Sequence, residues 1–323
     1  MNGIKNIEIH SVSRFPIVSA YEFEHIKKEE EVQEYIKDCT IYFIVQRPLI
    51  VIENFTASEG IISFRMNDST ESNPLECSFS PSDAGIGYPG EDLFIEAQFY
   101  ENPIEPVTQP CNGVAGFKVY SENKEFLCWF NPQRILYHHL VGGPRFEISG
   151  PIDKYIDYNV HYVGKSFSQE IWDRLTGHHK LQSVLTVEDQ YSDVTKKPSY
   201  EVSLLLLDID GFTEANIFPN FENSISDDVK PIVYDLSGSE EEFEKYLNPK
   251  LHSKSEELTT EAEALLVSTF NPKYNEVKFK SYPYIKNGTR DAGYTESNLV
   301  IEQLAAILFS ETYVQYPVLK KNA

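Results

Sequence analysis

Between Ile7 and Phe130 the chain is written in short β-rich runs: TIYFIVQ, LIVIENF, GIISFRM, LFIEAQFY and GFKVYS, separated by clusters of Pro, Gly, Asn and Ser. Runs rich in β-branched and aromatic residues and bounded by turn formers pair as strands. One helical stretch, FEHIKKEEEVQEYIKD, interrupts them, and the pattern ends near FLCWFNPQR. Residues 1–135 are therefore expected to form a β-rich domain, a sheet or a sandwich.

Residues 136–323 alternate instead. Strands near RFEIS and at YNVHYVG precede a helix from Gln169, and the strong strand EVSLLLLDI precedes a polar acidic stretch and a helix from Thr260. That order predicts an α/β domain with a small central sheet flanked by helices, which makes the whole chain α+β. Residues 211–258, with SISDD and SEEEFEKYL, read as an acidic insertion. In ESNLVIEQLAAILF, the apolar residues Leu299, Ile301, Leu304, Ile307 and Leu308 predict an amphipathic C-terminal helix, packed on the domain or on a second copy. A length of 323 residues suits two cores.

Fifty acidic side chains against 28 basic ones give a formal net charge of −22, which is wrong for holding nucleic acid by bulk electrostatics. The charge is uneven, however. Residues 1–135 carry 10 basic and 21 acidic groups, whereas residues 263–323 carry 7 and 6. The opening MNGIKNIEIH has no apolar run of signal length, and IYFIVQRPLIVI is broken by Gln46, Arg47 and Pro48, so neither an export signal nor a membrane span is expected. Cys39, Cys77, Cys111 and Cys128 are widely spaced without a CxxC pair, which reads as reduced thiols in a cytoplasmic protein.

Two stretches could carry chemistry. In YNVHYVG, strict alternation puts Tyr158, Val160 and Tyr162 on one face, and Gly164 lets the backbone turn. Ser166 and Gln169 have capping-box spacing, and Arg174 and His178, four apart, share a helix face. A guanidinium and an imidazole beside a strand-end tyrosine suit a phosphodiester, the first gripping phosphate and the others moving protons. The competing reading puts Arg174 on a solvated helix surface, His178 at a helix end and Tyr162 in a core.

The second stretch is TTEAEALLVSTFNPKYN, Thr259 to Asn275, a helix stopped by Pro272 with Glu263 near the edge of its apolar face. Here Thr260 and Glu263 also fit a capping box, which would make the glutamate structural. The strand LLLLDIDGF offers Asp208 and Asp210 as metal ligands in the manner of diguanylate cyclases, but the glycine pair needed to cradle a nucleotide is missing from SGSEEEF.

Taken together, Tyr162-Val163-Gly164-Lys165, then Arg174 and His178, then a helix written Glu-Ala-Leu-Leu and closed by Asn-Pro-Lys-Tyr-Asn, resemble the GIY-YIG nuclease family over Phe146 to Asn275. Tyr162 to Gly164 match the second signature tripeptide. Arg174 matches the phosphate-binding arginine, His178 the histidine one turn on, Glu263 the single acidic metal ligand and Asn275 the closing asparagine. The first tripeptide departs: the nearest candidate, Gly143 to Ile148, has Phe146 where the family has tyrosine. Either Tyr155 or Tyr158 takes that role, or Tyr162 works alone, or catalysis is impaired.

The resemblance implies a metal-dependent endonuclease with Mg²⁺ or Mn²⁺ on Glu263 and with Tyr162, Lys165, Arg174, His178 and Tyr158 as candidate catalytic residues. DNA is the expected substrate, ahead of RNA. Local phosphate contacts would come from Lys273, Asn275, Lys278 and Lys280, interleaved with Tyr274, Phe279, Tyr282 and Tyr284. The acidic N-terminal half would serve target choice, regulation, a protein partner or a homodimer. Restriction, phage defence or a mobile element are settings that fit such an enzyme, and a non-catalytic binding or regulatory protein is the alternative.

Overall fold

The computed structural model describes residues 6–19, 22, 26, 29–68, 70, 73–88, 90–103, 106–166, 199–214 and 252–317. Strands dominate them. In chain order they are β1 (Asn6–Val12), β2 (Val18–Ser19), β3 (Cys39–Pro48), β4 (Ile50–Ser58), β5 (Ile61–Asp68), β6 (Leu75–Phe79), β7 (Phe94–Phe99), β8 (Val114–Tyr120), β9 (Phe126–Phe130), β10 (Glu147–Ser149), β11 (Asp157–Lys165), β12 (Tyr200–Glu214), β13 (His252–Ser253), β14 (Glu296–Glu302), β15 (Ile307–Phe309) and β16 (Val314–Gln315). The described helices are α1 (Glu30–Ile36), α2 (Pro132–Val141) and α3 (Glu256–Phe270).

Two sheets result. A nine-stranded sheet has the order β14-β1-β12-β3-β11-β15-β16, with β2 and β13 also paired to β12. A seven-stranded sheet has the order β10-β6-β5-β4-β8-β7, with β9 also paired to β8. At the centre of the first, β12 pairs antiparallel with β1 and with β3, and every residue from Glu201 to Ile209 is buried. A strand covered on both faces needs an unbroken apolar run at its centre, and Leu204 to Leu207 provide it.

This architecture corrects the α/β expectation for the second half. There is no small central sheet between flanking helices: β11 and β12 are built into a large, mainly antiparallel sheet whose other central members, β1 and β3, come from the N-terminal half. The C-terminal stretch is also corrected, because ESNLVIEQLAAILF is not a helix. It forms β14, parallel to β1, and β15, parallel to β11. Leu299 and Ile301 are two apart, which is a strand period, and Gln303 sits at φ 56°, a left-handed conformation that no α-helix continues through. Of the acidic stretch 211–258, Gly211 to Glu214 complete β12, His252 and Ser253 form β13, and α3 begins at Glu256; residues 215–251 lie outside the described residues.

Three cores hold the sheets. One face of the large sheet packs Ile41, Phe43, Val163 and Leu205 against Ala262, Leu266, Val267 and Phe270 of α3. The larger of these side chains contribute roughly 1.5–3 kcal/mol each on burial, enough to fix the helix on the sheet. The opposite face packs Tyr42, Ile44, Leu204 and Leu206 with Val32 and Ile36 of α1. The seven-stranded sheet buries Phe64, Phe79, Phe117 and Phe130 under α2, with Phe146 stacked on Phe79 at 4.2 Å.

Only Leu49 separates β3 from β4, so one stretch of chain passes from sheet to sheet. Arg47, just before that crossing, is buried. Its Nε donates to Glu201 Oε1 at 2.7 Å and its Nη1 donates to the Tyr155 carbonyl, while Gln133 Nε2 on α2 donates to Glu201 Oε2 at 2.7 Å. A buried ion pair is retained only when its remaining polar atoms find partners, and this network supplies most of them.

Candidate functional site

Regular alternation along β11 would put Tyr162 on the same face as Tyr158 and Val160. The register instead shifts between Val160, opposite Val45, and Tyr162, opposite Ile44, so that His161 is the extra residue of a β-bulge. A bulge re-aims the side chains that follow it. Tyr158, Val160 and Val163 consequently pack on the α3 face, whereas Tyr162 packs with Tyr42 and Trp129 on the opposite one. His161 is buried, with Nε2 3.0 Å from Gln46 Oε1.

Gly164 has a purpose other than the expected turn. Its φ is not in the left-handed region, and the strand runs on through Lys165 until Ser166 donates to Thr40 O at 2.8 Å. A Cβ at Gly164 would lie 2.6 Å from the Tyr42 hydroxyl and 2.7 Å from Cε1 of Tyr162. The glycine therefore makes room for two tyrosine rings, whose centroids are 5.9 Å apart. Tyr42 was invisible as a site residue in the sequence, since it comes from β3 in the other half of the chain. Its ring lies beside that of Tyr162 and is itself fully buried, as are Phe146, Tyr155 and Tyr158, the positions considered from sequence.

α3 begins earlier than its Thr260–Glu263 pattern predicts. Ser255 is the N-cap, its side chain accepting from Leu258 N at 3.1 Å, and Glu256 and Glu257 supply first-turn acids. Glu263 is thus well inside the helix and has no capping duty. It is 19% exposed, and its Oε2 lies 3.9 Å from Lys165 Nζ; the same ammonium donates to Thr260 Oγ1, one turn before Glu263. A carboxylate, a hydroxyl and an ammonium from α3 and β11 thereby share one point.

The helix ends at Asn271 in the left-handed conformation (φ 46°), followed by Pro272. The chain then wraps the free edge of β11. Tyr274 N donates to His161 O at 3.0 Å, while Asn275 accepts from Val163 N at 3.0 Å and donates to Val163 O at 2.7 Å. The Asn275 amide replaces a neighbouring strand, which is why an asparagine is required there. Beyond it, residues 276–295 form loops and turns. Lys273 lies over the Tyr274 ring at 5.3 Å, Lys280 is exposed, and Lys278 is turned back to donate to the Pro272 carbonyl.

Sequence reasoning missed Glu261, which holds that basic loop in place. Its buried carboxylate accepts from Thr289 N at 2.7 Å, from Thr289 Oγ1 at 2.5 Å and from the Tyr282 hydroxyl at 2.7 Å. Burial, with the adjacent Glu261, pushes the Tyr282 phenol up to about 12. Arg290 lies 3.7 Å over the Tyr282 ring. The signal available was the Glu-Ala-Glu spelling of α3, which puts one carboxylate under the loop and the other beside Lys165.

The structure thus brings Lys165, Glu263 and Thr260 together and fastens Asn275 to Val163 next to them, with Tyr162 and Tyr42 on the other side of the same strand end. Tyr158 is not part of this group. It is buried under the Arg47 guanidinium, 4.7 Å from its ring, and burial raises its phenol well above the usual range. Arg174 and His178 lie outside the described residues. Asp208 and Asp210 are engaged with cations of the chain itself: Arg14 Nε lies 2.6 Å from Asp208 and Arg14 Nη2 2.5 Å from Asp210, while Lys254 Nζ lies 2.9 Å from Asp208.

All four cysteines are free, and burial pushes the thiols of Cys39 and Cys77 up to about 12 and that of Cys128 to about 11, so none of these three is a ready nucleophile. Among the described residues no helix is long and apolar enough to cross a membrane, and no group of three or more His, Cys, Asp or Glu side chains could hold a metal. No family model, curated protein or solved structure matches the chain.

Proposed function

We propose that the chain is a metal-dependent endonuclease hydrolysing phosphodiester bonds, with DNA as substrate and the Glu263 corner as its centre. The observation that carries this reading is the meeting of Lys165 and Glu263, with Asn275 pinned to Val163, at the join of two stretches far apart in the chain. A partly exposed carboxylate with a hydroxyl one turn away is a hard-oxygen donor set of the kind that Mg²⁺ or Mn²⁺ accepts while keeping most of its water. Such a cation, when bound, neutralises phosphate charge and makes its bound water more acidic.

The chain's own groups supply the remainder. Lys165 offers an ammonium to a non-bridging phosphate oxygen. From the resemblance alone, Tyr162 is assigned proton transfer, and Arg174 and His178 phosphate gripping and proton relay. Lys273 and Lys280, beside Tyr274, give local attraction in a molecule whose overall field repels DNA. The acidic N-terminal half is assigned to a protein partner or to restraint of the nuclease. Free thiols favour a reducing, cytoplasmic setting. Incubation of supercoiled plasmid, and separately of RNA, with the protein and Mg²⁺ tests the reading: nicking that EDTA stops supports it.

One observation favours a second reading, a binding or regulatory protein without turnover. Tyr162 packs on the sheet face away from α3, and Tyr158 and Phe146 are sealed. Retained binding of DNA with no cleavage of any form would select it.

A further inference from the structure

A second built site lies on the outer face of the seven-stranded sheet, unconnected with the Glu263 corner. Phe94 pairs with Tyr120 and Tyr120 with Phe126, so three aromatic side chains form a row across β7, β8 and β9. Between Phe126 and Cys128, which is opposite Val119, Leu127 is an extra residue. That bulge returns Trp129 to the face of Phe126. The two rings stack at 6.1 Å and 28°, and Tyr120 meets Phe126 edge-on at 5.9 Å. Phe94 and Phe126 are 50% and 49% exposed, which is costly for a surface that faces only water.

Tyr120, Phe126 and Trp129 line a cavity of about 330 Å³ whose other walls include Glu22, Glu29 and Lys118. Glu22 accepts from the Trp129 indole N–H at 3.2 Å, which sets the orientation of the ring. Lys118 pairs across the sheet with Glu96, so the cavity's one ammonium has a carboxylate opposite it. Glu29 stands exposed at the rim. Trp129 already carries one guanidinium, that of half-buried Arg134, 4.0 Å from its centroid. Aromatic faces attract cations through their quadrupole, and a carboxylate beside them adds direct charge attraction. A nucleotide would find the same rings for its base, but its phosphate would meet Glu22 and Glu29 in the more acidic half of the chain.

We propose that this cavity binds an organic cation, the ammonium or guanidinium of a lysine or arginine presented by a basic protein segment. The site receives the charged side chain against the Phe126 and Tyr120 rings, beside Trp129, with Glu29 closing on its head. It thereby gives the acidic N-terminal half a partner of matching chemistry.

The test uses the full chain with Trp172→Phe, which leaves Trp129 as the sole indole reporter. Arginine amide and choline are titrated against 3,3-dimethylbutan-1-ol, the neutral counterpart of choline. The proposal expects saturable change in Trp129 fluorescence with both cations, binding weaker by about tenfold for the neutral compound, and severalfold loss in Glu29→Gln and in Phe126→Ala with an unchanged melting temperature. Glu29 is exposed, so its variant decides the matter even where loss of the Phe126 ring contacts lowers the melting temperature of Phe126→Ala. Equal binding of the neutral compound, indifference to both substitutions, or a preference for a thymidine oligonucleotide over arginine amide overturns it.

Discussion

Lys165 Nζ on β11 lies 3.9 Å from Glu263 Oε2 on α3, and the same ammonium donates to Thr260. At that separation, with both groups partly open to water, the pair itself adds little stability. Its importance is positional: it places a carboxylate and an ammonium side by side on a helix and a strand that α3's buried face holds rigidly together.

Gly164→Ala is expected to destabilise the fold by about 1–3 kcal/mol, because the new methyl overlaps both Tyr42 and Tyr162. Urea unfolding measures it. Tyr42→Phe in the same background should recover only part of the loss, since it removes the hydroxyl clash and leaves Cζ at the same 2.6 Å.

Asn275→Ala removes both bonds to the Val163 backbone. A loss of roughly 1–2 kcal/mol is expected. Hydrogen exchange should show the Val163 amide losing protection while amides in β12 keep theirs.

Glu201→Ala leaves the buried Arg47 guanidinium and the Gln133 amide without their shared acceptor. Breaking a buried pair from one side costs on the order of 3–5 kcal/mol. A fall in the thermal midpoint of a size seen for core truncations, measured by calorimetry, is the expected outcome.

His138 on α2 is pushed by burial, and then by nearby Arg134, from its ordinary 6.5 down to about 4. The unfolded chain therefore binds more protons than the folded one between those values. Stability should rise with pH from about 4 to 6.5, and this contribution is fully present above 6.5. In His138→Gln the slope of the melting temperature over that window should be shallower than in the parent.

The strands of the N-terminal half were legible because one face is buried: IISFRMND alternates nearly perfectly between buried and open positions. Their partners were not legible. Nothing local in TIYFIVQ says that it pairs with YVGK on one side and SLLLL on the other, since that choice is made by burial on both faces of a large sheet. ESNLVIEQLAAILF failed for a related reason, because the open edge of β1 supplied hydrogen-bond partners that helical spacing could not foresee. At the site, Lys165 and Glu263 meet because α3 packs across the end of β11, a placement made by the sheet. The face on which Tyr162 lies was not legible either, because one bulge at His161 reverses it and a bulge leaves no composition signal. The N-cap at Ser255 could have been read from the acidic turn that follows it, which would have released Glu263 from its supposed capping duty.

The most direct test of the Glu263 assignment is a Mn²⁺ titration followed by electron paramagnetic resonance, run on the parent and on Glu263→Gln. The account predicts one Mn²⁺ site in the parent, displaced by Mg²⁺, and binding weakened by at least about tenfold in the variant with an unchanged melting temperature. Equal Mn²⁺ binding by the two proteins, or none by the parent, contradicts it.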